Sequence, residues 1–101
     1  MTIQVVRLIS GEDIVADVNI ISADMVELKN AIVAVAMPGR PNEGPKVGFA
    51  PWQPFSKSRS FKIDRTHVIS ISEPIDDFVT QYQAMNSNLA LPVKQKLIVP
   101  N

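Results

Sequence analysis

Between Arg40 and Arg65 the chain carries six basic residues, Arg40, Lys46, Lys57, Arg59, Lys62 and Arg65, against two acids, Glu43 and Asp64. Phe55 and Phe61 are interleaved with the last four. Ammonium and guanidinium groups neutralise phosphates, and a neighbouring ring gives a base something to stack on. Lys57, Arg59, Lys62, Arg65 and Phe61 are therefore the candidate contacts for single-stranded RNA or DNA. The competing reading is an edge strand whose basic residues face solvent and deter aggregation. The formal net charge is zero, with ten basic and ten acidic residues, but the acids lie elsewhere. Glu12, Asp13, Asp17, Asp24 and Glu27 precede the basic segment and Glu73, Asp76 and Asp77 follow it. Such segregation points to a basic face on a neutral molecule.

Trp52, the only tryptophan, stands between Pro51 and Pro54. An indole on a stiff loop can anchor a base or a protein partner. It can equally fold back to cap the core or a subunit interface, which suits how deeply Trp is buried on average. His67 is the only histidine and has no evident metal or nucleophile partners, so it reads as a turn residue. The acid pairs Glu12-Asp13 and Asp76-Asp77 fit a tight turn and a helix N-terminus. Neither has the differently buried placement that acid and base catalysis needs. With no phosphate-cradling glycine loop, nucleophile elbow or zinc spacing, the residues point to no enzyme, no metal and no cofactor.

The elements that must hold these residues are legible from periodicity. At 101 residues the chain suits one domain, 1–101, and its 46% hydrophobic content is that of a globular protein. An apolar run over Ile3–Leu8 ends at Ser10-Gly11-Glu12-Asp13, a hairpin turn in which glycine supplies a positive φ. Ile14, Ala16, Val18 and Ile20 then alternate with polar positions as a half-buried strand. After a turn at Ser22-Ala23-Asp24, Val26, Leu28, Ile32 and Ala34 resume the inward face. Asn30 interrupts that alternation, as a β-bulge would. Strands are expected over about 2–37 and 47–71, five in all, with a Pro/Gly-rich loop insert over about 38–56 and a short final hairpin turning near Asp64-Arg65-Thr66. Pro74 fits the first turn of a helix over about 74–90, in which Ile75, Phe78, Val79, Tyr82 and Met85 share a face. Residues 91–101 form a tail.

This plan resembles the Sm-like fold, a strongly bent five-stranded antiparallel sheet or small barrel, here with a C-terminal helix. In the stretch VRLISGEDIVADVNIISADMVEL, Val6, Leu8, Gly11, Ile14, Val18, Ile21 and Met25 match the first Sm motif. In IDRTHVISI, Ile63, Val68 and Ile71 match the second. The resemblance covers most of the chain except the insert and the helix, and is nearest to small phage-type members. It implies a homo-oligomeric ring of five to seven subunits, built by edge-strand pairing, that binds single-stranded nucleic acid without catalysis. The family's base pocket does not carry over: Asp24, Met25 and Val26 replace its stacking ring and Asn, Asp64 replaces its basic residue, and only Arg65, displaced by one position, retains part of it. The alternative is a protein-interaction or structural module, such as a phage accessory factor, that contacts its partner through Trp52 and the proline-rich loop.

No cysteine is present, so disulfides and thiolate metal sites are excluded. No apolar run approaches the roughly 20 residues that span a bilayer, and the first residues lack the pattern of a signal peptide. The expected setting is the cytoplasm of a bacterial or phage-infected cell, without a membrane partner.

Overall fold

The computed structural model describes residues 2–44 and 46–90, with side chains as far as Asn86. The expected tail, 91–101, lies outside the described residues. Six strands and a helix follow in order: β1 (Ile3–Leu8), β2 (Asp13–Ile20), β3 (Met25–Met37), β4 (Lys46–Pro51), β5 (Phe61–Asp64), β6 (Val68–Ser72) and α1 (Asp76–Ala90). They form one antiparallel sheet in the order β4-β3-β2-β1-β6, with β5 also pairing with β3. The architecture is the expected one, mostly β and strongly curved, with the helix last.

The β1–β2 hairpin closes where the glycine stands. Gly11 has φ 91° and donates its N–H to the Leu8 carbonyl at 2.8 Å, a left-handed turn position that favours glycine. Arg7 and Asp13 face each other across the ladder, joined by two bonds of 2.8 Å from Nε and Nη2. The Arg7 guanidinium holds the Asp13 carboxyl below its ordinary range, while partial burial opposes that effect.

The long third strand bends at Asn30. Val15 pairs with Ile32 and Asp17 with Lys29, so Asn30 and Ala31 together oppose Ala16 alone. This is a β-bulge, and Asn30 takes φ 51° to make it. The extra residue reverses which side chains face inward. Before it, Val26 and Leu28 join Val6, Leu8, Ile14, Ala16 and Val18 in the core inside the curl; after it, Ala31 does so with Val33 packed alongside. The expectation that Ile32 and Ala34 continue the inward face is corrected accordingly. Ile32 turns to the other side, where it packs with Val15 beneath the helix. Ile20, expected inward, is exposed at the end of β2.

The helix covers that second cluster. Tyr82 is buried against Val15 and Ile32, with Phe78 and Met85 beside it, and the Phe78 ring meets Phe49 of β4 edge-on at 4.9 Å. The Tyr82 hydroxyl also repairs the ladder at the bulge. It accepts the Asp17 N–H at 3.2 Å and donates to the Lys29 carbonyl at 3.0 Å. Burial pushes the phenol above its ordinary pKa. Ile75, expected on the packed face, is exposed. The helix begins at Asp76, with the Ile75 carbonyl accepting its first bonds, so Pro74 precedes the first turn instead of lying within it.

Two further expectations change. The described residues form six strands, because the proline-rich segment contributes β4, paired with Ile32–Met37. Proline is tolerated there because β4 lies at the sheet edge and Pro51 at its last position. Gly48 of β4 lies under the Met37 side chain, which stands where a Cβ would be. Finally, β5 and β6 do not pair with each other as a hairpin. β5 pairs with the start of β3 and β6 with β1, and a 3-10 turn, Arg65–His67, carries the chain between them across the curl.

Candidate nucleic-acid interface

The basic candidates all lie on the path from β4 to β6, and the bulge sets that path. Ala31 holds both ends of the loop 52–60: its carbonyl accepts the Trp52 N–H at 3.1 Å, and its N–H donates to the Arg59 carbonyl at 3.0 Å. Beside it, the Asn30 N–H donates to Ser60 Oγ at 3.3 Å. The loop is thus an excursion between two strands, β4 and β5, that both pair with β3.

Along β5 the side chains alternate. Phe61 and Ile63 pack against the inner core, while Lys62 is exposed. The Phe61 ring lies edge-on to the Trp52 indole at 5.2 Å and 78°. Phe61 and Lys62 therefore point to opposite sides of the strand, so the anticipated pairing of ring and charge on one face is not formed. Trp52, half-buried, caps the inner core. It also forms one wall of a pocket of about 250 Å³ with Leu8, Ile9, Ser10, Glu12, Ile63 and His67.

The cations differ in what surrounds them. Lys62 lies opposite Glu27 in the β3–β5 register, and Glu27 also accepts from Asn19 Nδ2 at 3.4 Å. Arg65 is exposed on the 3-10 turn, and its backbone N–H donates to the Asp24 carbonyl at 2.8 Å. The neighbouring Asp64 carboxylate accepts from the Thr66 N–H at 2.9 Å and the Thr66 hydroxyl at 2.8 Å, and these bonds hold its pKa down. Asp64 is thus a turn-capping anion next to Arg65, where the resemblance leads one to expect a cation. Arg59 is half-buried, and its Nε and Nη2 are shielded from water with no hydrogen-bond acceptor among the described residues. Lys46 bridges to Glu43 at 3.5 Å. Lys57 is exposed on the loop and makes no ion pair among the described residues.

Gln53 is not among the contacts that the sequence singles out, whereas Phe55 stands there as a ring beside the basic residues. Phe55 is fully exposed, and Gln53 takes φ 54°. No group of three or more His, Cys, Asp or Glu that could hold a metal occurs among the described residues. No helix of the described residues is long and apolar enough to cross a membrane.

A family model, that of the Sm-like domain, matches the chain over residues 5–83. The chain belongs to the Sm-like family. The match runs through the loop 52–60 and into the helix, which extends the resemblance beyond the segments that carried it in the sequence. It is to the family as a whole and does not single out its phage-type members. Sm-like proteins are in general non-catalytic scaffolds that bind RNA and form oligomeric rings. No curated protein matches the chain.

Proposed function

We propose that this Sm-like protein assembles into a homo-oligomeric ring of five to seven subunits and serves as a platform for single-stranded RNA or DNA. Lys57, Lys62 and Arg65 neutralise phosphates, and Arg59 supports the loop that carries Lys57. The observation that carries the assembly is the state of the sheet ends. Among the described residues β4 and β6 are the two terminal strands of the order β4-β3-β2-β1-β6, and each bears an exposed large apolar residue, Val47 at 49% and Ile69 at 61%. Unpaired N–H and C=O groups beside exposed apolar side chains are more favourably covered by a second strand than by water. Rotational repetition of one such contact closes a ring.

The nucleic-acid part rests on the exposed cations of the loop and the 3-10 turn. It is tested by binding of labelled single-stranded 20-mers across a salt series, with the particle mass determined in the same buffer. Affinity should fall steeply with salt. Changing Lys57, Lys62 and Arg65 to Gln should flatten the logarithmic slope by about 2 if all three meet phosphates. An unchanged slope removes this face from consideration.

A second reading, a protein-interaction module, is favoured by one specific surface. Val35 and Met37 are exposed on one face of β3, with Met37 lying over Gly48 of β4. The contact for such a module shifts from Trp52, whose ring caps the core, to this apolar patch. Loss of a co-purifying protein in Val35→Lys, with nucleic-acid affinity unchanged, would favour it.

A further inference from the structure

The rings closest to the basic residues in sequence divide into two kinds. Trp52 and Phe61 are spent on each other and on the inner core. Phe55 touches none of this and is as exposed as a side chain can be. A phenyl group left fully in water forgoes about 2 kcal/mol of burial, which a stacked base would recover.

The loop holds that ring in a defined place. The Ser56 N–H donates to the Gln53 carbonyl at 3.0 Å, closing a tight turn around Pro54 and Phe55. Beyond it the alternate serines form a chain of local bonds. The Ser58 N–H donates to Ser56 Oγ at 3.0 Å, the Ser60 N–H to Ser58 Oγ at 3.2 Å, and Ser60 Oγ accepts from Asn30 on β3. In the sequence Ser56-Lys57-Ser58-Arg59-Ser60 the hydroxyls are thus used internally. Lys57 is left facing solvent two residues from the ring. Gln53, at φ 54°, sits in the left-handed region that a non-glycine residue adopts at a cost. An open depression of about 420 Å³ is bounded by Gln53, Phe55 and Ser56.

We infer that Phe55 is a base-stacking platform of the nucleic-acid face: an unpaired base lies on its ring, the adjoining phosphate meets Lys57, and the Gln53 amide faces the base edge. The inference rests on the nucleic-acid reading above and assigns it a ring that neither Phe61 nor Trp52 can supply. The occupant is a base and not an apolar protein surface because the ring stands alone, bracketed by Gln53, Ser56 and Lys57, where an apolar partner would have to bury a lysine. Stacking on one ring tolerates any base, so the platform is sequence-indifferent.

The test uses three variants of the full chain: Phe55→Ala, Phe55→Trp, and Lys57→Gln with Lys62→Gln and Arg65→Gln. Affinity for single-stranded oligouridylate and oligoadenylate 12-mers is measured at low salt, alongside particle mass and thermal unfolding. Phe55→Ala should weaken binding by about 5- to 150-fold with an unchanged salt slope. Phe55→Trp should restore it and add an indole emission quenched by the oligomer. Because the ring touches no core residue, thermal unfolding should not move. Normal binding by Phe55→Ala, with binding lost in the triple variant, overturns this inference and leaves the nucleic-acid reading standing. No binding by the unaltered protein overturns both. A drop in particle mass in Phe55→Ala, with affinity per subunit kept, assigns the ring to a contact between copies and overturns the inference.

Discussion

The Tyr82 hydroxyl ties the helix to two strands that lie far from it in sequence, and its value is calculable in direction. It satisfies the Asp17 N–H and the Lys29 carbonyl, both set apart from the regular ladder by the bulge. Tyr82→Phe keeps the ring in its cluster but leaves both backbone groups without that partner. A loss of about 1–3 kcal/mol is expected, read as a lower urea midpoint at constant slope. Faster hydrogen exchange at the Asp17 amide should accompany it. The two carboxyls with depressed pKa values give a second expectation. Asp13 is held down by Arg7, and Asp64 by the Thr66 N–H and hydroxyl. A carboxyl whose folded pKa lies below its unfolded value stabilises fully above the unfolded value, near 4, and loses that contribution as pH falls through the folded one. The melting temperature should therefore drop on acidification below about pH 4, and Asp13→Asn with Asp64→Asn should flatten the drop. An equally steep acid limb in the double variant would place its origin in other carboxyls.

At the scale of elements, the bulge explains both what the sequence disclosed and what it withheld. Alternation is readable when a strand is flanked by water on one face, as Ile14, Ala16 and Val18 are against Asp17 and Asn19. It marked Asn30 as the point of slippage, and the bulge is there. The consequence was not readable, because the parity after a bulge depends on what covers each face. Ile32 and Val15 are buried by a helix that lies about fifty residues further along the chain. β4 was hidden for a similar reason: prolines and glycines signal a loop, but at an edge, paired on one side, they do not prevent a strand. In the candidate site, charge spacing located the segment but not the direction of its rings. Phe61 and Phe55 look alike in sequence, and only strand pairing turns one inward. If Asn30 owes its place to its tolerance of positive φ, Asn30→Gly should keep or slightly raise stability, and Asn30→Val should lower it by about 1–3 kcal/mol. Thermal melts of the two variants decide this; equal melts would mean that the bulge is set by its neighbours alone.

For the molecule as a whole, the question is whether the two sheet ends find each other. A chain of 11.1 kDa buries a modest share of its surface alone, and this one leaves Val35, Met37, Val47 and Ile69 exposed at or beside its terminal strands. Edge strands that remain single are usually blunted by charge, bulges or cover. β6 has one register shift against β1, and β4 carries Lys46 at its start, but neither strand has a charged residue through its middle. Light scattering should then report a mass several times that of one chain, independent of salt over a range that abolishes nucleic-acid binding. The two behaviours separate because strand pairing with apolar contact is insensitive to screening, whereas phosphate contacts are not. Introducing charge at both ends, Val47→Lys with Ile69→Lys, should yield monomers without unfolding, since both side chains are already in water within one chain. If the double variant keeps the parent mass, the sheet ends do not make the interface, and the outer face of the helix becomes the next surface to alter.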